Sequence, residues 1–91
     1  MKFEWDQQKA NSNLKNHGVS FQEAASVLGD KLSITYPDPD HSARERRFIT
    51  VGTSRLGRVL IVAHTDRRGN IRIISARKTT RQERRYYEEG E

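Results

Sequence analysis

The spacing of apolar residues changes from helical to strand-like about a third of the way along the chain. A short amphipathic strand at 2–5 precedes Asp6, which can cap a helix that runs to about Lys15 and stops at Gly18. A second helix is predicted over 20–29, where a capping box opens it and a glycine ends it. We expect these two helices to form a small hairpin.

Strand patterns dominate the rest of the chain. Residues 31–36 form the first candidate, and three more strands are predicted at about 46–53, 58–65 and 70–76. Short connections containing glycine join these last three, so they are expected to pair antiparallel. The middle one is apolar on both faces, which places it at the centre of the sheet. A last helix is predicted to begin at a second capping box at Thr80.

These elements predict an α+β fold, in which a small antiparallel sheet is packed by the N-terminal helical hairpin and followed by a C-terminal helix. The 91 residues are expected to form one domain, because neither side of the turn-rich break at 37–43 has enough apolar residues to fold alone. The charged first residues and the absence of a long apolar run argue against a signal peptide and a membrane span. We therefore expect a cytoplasmic protein.

Positive charge is concentrated in the second half of the chain. All twelve arginines lie between Arg44 and Arg85, so that residues 1–43 carry a net charge of −2 and residues 44–91 one of +7. Guanidinium groups bind phosphate through paired hydrogen bonds and stack on bases, which favours RNA or DNA as a partner. A solvated, salt-bridged face or a docking patch for an acidic protein would have the same composition.

The sequence contains none of the recognised motifs of metal-binding sites or of enzymes with a nucleophilic side chain. There is no cysteine, and His17, His41 and His64 are too scattered for a recognised zinc spacing, so we expect no disulfide, metal or cofactor. Metal-free RNA cleavage is physically reasonable, because the 2′-hydroxyl of RNA is itself the nucleophile. The protein then has to supply positioning, proton transfer and charge stabilisation.

His64 is the candidate for proton transfer, because it ends an apolar strand and an imidazole titrates near neutral pH. A half-buried histidine bonded to backbone is the simpler interpretation of this position. A hairpin at 54–57 would bring His64 roughly opposite Arg47, with the cations divided between the two ends of the sheet. One end would collect Arg47, His64 and Arg67, and the other Arg58, Arg77 and Arg81.

Other charged residues allow two interpretations each. Arg77 directly follows an apolar strand, so it is either a phosphate clamp or the partner of a carboxylate such as Glu83. Lys15 and His17 precede the glycine that ends the first helix, where capping of the helix competes with a functional role. Glu45, beside an arginine-rich strand, is either a base or a neutralising group.

The predicted last helix carries three arginines and two tyrosines: Arg81, Arg84, Arg85, Tyr86 and Tyr87. Tyrosine rings stack on bases of single-stranded nucleic acids, so both tyrosines are candidates for such contacts. At helical spacing, however, at least one of them is expected to pack in the core.

Four segments share their order and spacing with a known family: FEWDQQKANSNLKNHGVSFQEA at 3–24, DPDHSARERRFITVGTS at 38–54, RVLIVAHTDR at 58–67 and IRIISARKTTRQERRYYEE at 71–89. Over nearly its whole length the chain resembles the BrnT family of bacterial type II toxins. The resemblance implies a RelE-like fold and a metal-independent endoribonuclease that inhibits translation. It also implies an antitoxin of the BrnA type, a DNA-binding ribbon-helix-helix protein, in a two-plus-two heterotetramer that represses its own operon.

Carried over to this sequence, the motif positions of the family are Lys15, His17, Gly18, His41, Glu45, Arg47, Arg67, Arg72, Arg77, Glu83 and Arg84. We expect Arg67 and Arg77 to stabilise the phosphate and the transition state, and His64 or Glu45 to transfer protons. His64 is not among the motif positions. RNA binding is expected of six further residues: Arg47, Arg72, Arg81, Arg84, Lys15 and His17.

Two other functions fit the same residues. One is a non-catalytic module whose basic half docks an acidic protein partner or the ribosome. The other is a toxin directed at gyrase on the same fold. RNA cleavage that depends on Arg67 or Arg77 would separate the enzyme from both.

Overall fold

A five-stranded sheet forms the centre of the fold. The computed structural model describes residues 2–41 and 45–90. The strands are β1 (Phe3–Glu4), β2 (Ile34–Pro37), β3 (Arg47–Thr53), β4 (Val59–Arg67) and β5 (Asn70–Lys78). The helices are α1 (Gln7–His17), α2 (Phe21–Val27) and α3 (Arg81–Glu88), and Pro39–His41 forms a short 3-10 helix. Within the described part of the chain, no helix is long and apolar enough to cross a bilayer.

The strands lie in the order β1-β5-β4-β3-β2, so β4 occupies the centre as predicted. The β2–β3, β3–β4 and β4–β5 pairs are antiparallel. However, β1 runs parallel to β5, with Phe3 opposite Ile71. The expectation of a purely antiparallel sheet is therefore wrong. Most of the chain separates these two strands, so no hairpin dictates their relative direction.

The helix caps agree with the sequence at most positions. The Asp6 side chain accepts hydrogen bonds from two backbone N–H groups of the first turn of α1, at 2.8 and 3.1 Å. Gly18 ends α1 with φ +69°, a conformation that favours glycine. Thr80 forms the complete capping box predicted for α3. At Ser20, the hydroxyl accepts the Glu23 N–H at 3.0 Å, but the Glu23 carboxylate turns toward the sheet instead.

The helices α1 and α2 cover one face of the sheet, which we call the helix face. Leu60 and Val62 of β4 point to it, whereas Ile61 and Ala63 point to the opposite face, which we call the open face. The hydrophobic core lies between α1, α2 and the helix face. Its buried side chains are Ala10, Val19, Phe21, Ala24, Val27, Leu60, Val62, Ile73 and Ala76.

Asn13 attaches α1 to the edge of the sheet. Because β1 pairs with only the first part of β5, the backbone of Ala76 further along β5 has no strand on its outer side, opposite β4. The buried Asn13 amide donates to the Ala76 carbonyl at 2.8 Å and accepts the Ala76 N–H at 3.0 Å. It also donates to the carbonyl of Val19 at 2.9 Å. One side chain therefore satisfies backbone groups of both β5 and the α1–α2 turn.

Glu23, in the first turn of α2, bonds to residues that directly precede β4. Its carboxylate is buried and accepts hydrogen bonds from the hydroxyl of Ser54 at 2.7 Å and from Nε of Arg58 at 2.9 Å. Arg58 also donates to the carbonyl of Gly18 at 3.0 Å. The hydrogen bond from Arg58 holds the pKa of Glu23 below its usual value, although burial opposes this shift. The buried carboxylate thus stays charged and paired.

Replacing Asn13 by alanine is expected to lower the free energy of unfolding by about 3 kcal/mol, because buried backbone groups lose their hydrogen-bond partners. Urea unfolding of the purified protein measures this. Asn11→Ala is the matched control, since Asn11 lies on the exposed side of the same helix. Its effect should stay within about 0.5 kcal/mol. Equal losses in both variants would contradict the role of Asn13 at the sheet edge.

Candidate functional site

The open face carries a groove of about 280 Å³ next to α1. Its floor is apolar and is formed by Ile49 of β3 with Ile61 and Ala63 of β4. Ile74 and Ala76 of β5 also line the groove, together with five polar or charged residues: His17, Asp38, Arg47, Ser75 and Arg77. An apolar floor bordered by cations suits a ligand that combines flat rings with negative charge.

Arg77 borders the groove on β5, where it pairs with Ile61. Its guanidinium donates two hydrogen bonds to the Glu83 carboxylate of α3, at 2.8 and 3.0 Å. These two bonds, together with one from the Thr80 N–H, lower the pKa of Glu83 to about 2. The bonding to Glu83 also raises the pKa of Arg77. Of the two interpretations of Arg77 from the sequence, the structure shows the pairing with Glu83. About 44 % of the Arg77 side chain is nevertheless exposed, so a phosphate can reach it.

Arg47 borders the groove on β3, where it pairs with Thr65 of β4. Thr65 and Ile61 are four residues apart on β4, so Arg47 and Arg77 are offset by roughly 13 Å along the strands. Both belong to the open face, and their long side chains extend over the same floor. Sequence reasoning places these two arginines at opposite ends of the sheet. The structure keeps them apart along the strands but shows that both line one groove.

His17 reaches the groove from the end of α1. It follows Asn13 by four residues, about one helical turn, so both side chains project from the same side of the helix. Because Asn13 is bonded to Ala76 of β5, this side of α1 lies against the sheet edge. The exposed imidazole of His17 therefore lies beside the strand that carries Arg77.

Arg67 and Arg72 continue the positive open face beyond Arg47. Arg72 pairs with Thr65 across the sheet, and its side chain donates to Glu4 at 2.9 Å. Arg67, near the end of β4, donates to Glu45 at 3.3 Å. Neither arginine lines the groove. Six residues of β4 separate Arg67 from the partner of Arg77, which is roughly 20 Å, so the two do not share one small pocket, as expected.

Comparison with known proteins gives the family of the chain. A family model described as "Ribonuclease toxin, BrnT, of type II toxin-antitoxin system" matches residues 5–83. The chain belongs to the BrnT family. Its fold is similar to that in a 1.1 Å crystal structure of the ribonuclease toxin BrnT of Brucella abortus, with a TM-score of 0.71 and 21 % sequence identity. The similarity covers 89 % of this chain and 99 % of that one. No curated protein matches.

Membership of the BrnT family makes the chain a ribonuclease toxin of a type II toxin–antitoxin system. It also confirms the resemblance seen in the sequence. The five-stranded mixed sheet with three helices is the α+β architecture that this chain shares with the Brucella protein.

In this BrnT-family chain, His64 lies on the helix face and not in the groove. The residue is 6 % exposed, and its ring stacks on Phe48 with 5.9 Å between ring centroids. Its Nε2 atom is 2.7 Å from the hydroxyl of Thr50. Burial lowers the pKa of His64, which favours the neutral imidazole. The structure therefore separates His64 from the arginines of the open face.

The separation of His64 from Arg47 follows from the register of β3 and β4. His64 pairs with Phe48, and Arg47 pairs with the next residue, Thr65. The placement of His64 opposite Arg47 was therefore wrong by one residue. In a strand such a slip moves a side chain to the other face of the sheet.

The other predicted RNA-binding residues lie elsewhere. Arg81 and Arg84 border a second basic groove of about 330 Å³, together with Arg58 and Lys78. Arg84 also donates to Glu88 at 3.0 Å. Lys15 is exposed in the last turn of α1, and His41, a motif position, belongs to the short 3-10 helix. The described residues contain no cluster of three or more histidine, aspartate or glutamate side chains that could hold a metal ion.

Sequence reasoning missed the meeting of His17 with Arg47 and Arg77. One signal pointed toward it: Asn13 is a polar residue on the buried side of α1, and His17 follows it at helical spacing. A buried asparagine needs several hydrogen bonds, which indicates that this side of the helix faces exposed backbone. The sequence near Asn13 could not show that this backbone is that of Ala76, because Ala76 lies far along the chain.

The Arg77–Glu83 pair makes stability depend on pH in acid. Folding lowers the pKa of Glu83 from 4.5 to about 2, so its contribution is complete above pH 4.5 and is lost as the pH falls through about 2. Glu83→Gln should therefore be less stable than wild type near neutral pH, and the two proteins should converge toward pH 2. Urea unfolding across this range measures the difference.

Glu88→Gln is the control for this measurement, because Glu88 forms an exposed pair with Arg84 on the same helix. This substitution should lower the free energy of unfolding by no more than about 0.5 kcal/mol near neutral pH. A difference between wild type and Glu83→Gln that stays constant down to the lowest pH would contradict the assigned linkage.

Proposed function

We propose that this BrnT-family toxin cleaves RNA in the groove of the open face without a metal ion. The observation that carries the proposal is the meeting of His17, Arg47 and Arg77 around one apolar floor, although they come from α1, β3 and β5. Arginine binds phosphate, imidazole transfers protons near neutral pH, and an apolar floor accommodates flat rings. RNA supplies its own nucleophile, so the protein has to contribute only positioning, proton transfer and charge stabilisation.

In the proposed reaction, the 2′-oxygen attacks the adjacent phosphorus and the bond from phosphorus to the 5′-oxygen breaks. The products are a 2′,3′-cyclic phosphate and a 5′-hydroxyl end. A base takes the proton of the 2′-hydroxyl, and an acid gives a proton to the leaving 5′-oxygen. We assign one of these transfers to His17 and the other to Asp38, the carboxylate that lines the groove.

Arg77 and Arg47 stabilise the negative charge that develops on the phosphate oxygens. The guanidinium of Arg77 is oriented in advance by its two hydrogen bonds to Glu83, so little reorganisation is needed in the transition state. Arg67 and Arg72 lie farther along the same face, and we assign them to neighbouring phosphates of the RNA. Glu45 then positions Arg67 through their ion pair.

We assign His64 a structural role. A buried imidazole that is bonded to Thr50 and stacked on Phe48 fills the helix face near the end of β4. Its lowered pKa keeps it uncharged, as a buried site requires. The basic groove of Arg81 and Arg84 is proposed to hold RNA farther from the cleaved bond, and exposed Lys15 adds positive charge at the end of α1.

We further propose that cleavage inhibits translation and that a BrnA-type antitoxin with a ribbon-helix-helix domain neutralises the toxin. Membership of a type II toxin–antitoxin family supports a protein antitoxin. Two copies of each protein would form a heterotetramer, which binds operator DNA through the antitoxin. The site of action is the cytoplasm, where RNA is translated.

Purified toxin, freed of antitoxin, is expected to cut a defined single-stranded RNA in excess chelator. Arg77→Ala and Arg47→Ala should each lower the rate about 100- to 1,000-fold, because transition-state charge loses its stabilisation. Arg55→Ala is the matched control, since Arg55 is an exposed cation at the β3–β4 turn and does not line the groove. Single-turnover rates measure the effect, and urea unfolding shows that each variant is folded.

Intact RNA after incubation, both with and without ribosomes, would contradict catalysis and favour a non-catalytic docking module. Damage to DNA while protein synthesis continues in expressing cells would indicate a gyrase-directed toxin. Cleavage that stops in chelator and returns with added metal would contradict metal independence.

The two histidines are expected to behave in opposite ways. His17→Ala should lower the cleavage rate about 100-fold or more by removing a proton-transfer group. Its stability should change little, because the side chain is exposed. His64→Ala should lower the free energy of unfolding by about 2 kcal/mol through a cavity on the helix face. Folded His64→Ala protein should keep its activity, and loss of activity in this variant alone would reverse the assignment.

A further inference from the structure

A second pocket, of about 370 Å³, adjoins the groove on the open face. The sheet contributes Ile34, Tyr36, Val51 and Ile61 to its walls, and α3 contributes Tyr86 and Tyr87. Ile61 lines both the pocket and the groove. The Arg77–Glu83 pair also links them, because Arg77 lines the groove and Glu83 lines the pocket.

Two tyrosines of this pocket are exposed, although the third is held in place. Tyr87 is partly buried and donates its hydroxyl to Asp30 at 2.8 Å, which anchors the end of α3. Tyr36 is 47 % exposed and Tyr86 is 58 % exposed. Tyrosine side chains that are this exposed add little to the stability of the fold, and they are available to a ligand.

The charge around the pocket indicates which ligand fits. Tyr36 pairs with Ile49 of the groove floor and interacts electrostatically with Arg77, so an aromatic ring of the pocket lies near a guanidinium of the adjoining groove. A nucleotide presents the same combination, a flat base joined to a phosphate. The chain has a net charge of +5, which favours a polyanion at this face over an apolar peptide alone.

We infer that this pocket binds one unpaired base of the substrate RNA, the base next to the phosphate held by Arg77. The inference rests on the proposed ribonuclease function and adds a base subsite between Tyr36 and Tyr86. Stacking on tyrosine tolerates any base, because every base has a flat aromatic face. The toxin therefore acts on single-stranded RNA, since a base within a duplex is already stacked and paired.

The test uses a short RNA that carries 2′-O-methyl groups, which block the nucleophile so that binding is measured without cleavage. The fluorescent base 2-aminopurine is placed at each position in turn. At one position wild type is expected to quench its fluorescence by stacking. Tyr86→Ala and Tyr36→Ala should each abolish this quenching and weaken binding about 5- to 100-fold.

Two controls separate stacking from other effects. Tyr86→Phe keeps the ring and should retain both quenching and affinity. Leu56→Ala removes an exposed apolar side chain that does not line the pocket, and it should change neither. An abasic nucleotide at the quenched position should weaken binding to wild type but not to Tyr86→Ala. Urea unfolding confirms that each variant is folded.

RNA cleavage and RNA binding together distinguish failure of the base pocket from failure of the proposed ribonuclease function. If wild type neither binds nor cuts RNA, the proposed function falls and the base pocket falls with it. If wild type cuts RNA in an Arg77-dependent way while both tyrosine variants bind and quench as wild type does, the base pocket alone is overturned. If those variants keep RNA binding but lose binding to the purified antitoxin, the pocket is a protein-docking surface and the inference is again overturned.

Discussion

The pairing of the Asn13 side chain with the backbone of Ala76 is the contact on which the groove depends. Strand β1 is two residues long and leaves the rest of the β5 edge without a neighbouring strand. An unpaired edge would expose backbone groups to other chains, and the Asn13 amide closes it at Ala76. The same contact fixes the position of α1 and, one turn later, that of His17. The residue that covers the sheet edge therefore also positions the imidazole.

The alternation of side chains between the two faces of the sheet positions the other residues of the groove. Strand β4 is central, and its alternate residues divide between the core and the floor of the groove. Strands β3 and β5 flank it, so Arg47 and Arg77 approach that floor from opposite sides. Glu83 fixes the guanidinium of Arg77 and links α3 to the sheet. One ion pair thus orients the guanidinium of Arg77, and its carboxylate forms part of the wall of the tyrosine pocket.

Features that depend on local sequence could be predicted, and those that depend on distant contacts could not. The caps at Asp6 and Thr80 and the central position of β4 follow from neighbouring residues. The direction of β1 depends on a strand far along the chain. The face of His64 depends on a register that a single residue reverses, and the β4–β5 pairing has an irregularity at this same residue. The site was therefore only partly predictable, because its residues meet through those distant contacts.

The structure of the toxin bound to an RNA with 2′-O-methyl groups would test the central claim most directly. We expect one phosphate between Arg47 and Arg77 over the apolar floor. We expect the adjacent 2′-oxygen or 5′-oxygen within about 3.2 Å of the His17 imidazole. RNA held only along Arg58, Arg81 and Arg84, with the groove of the open face empty, would contradict the proposed active site.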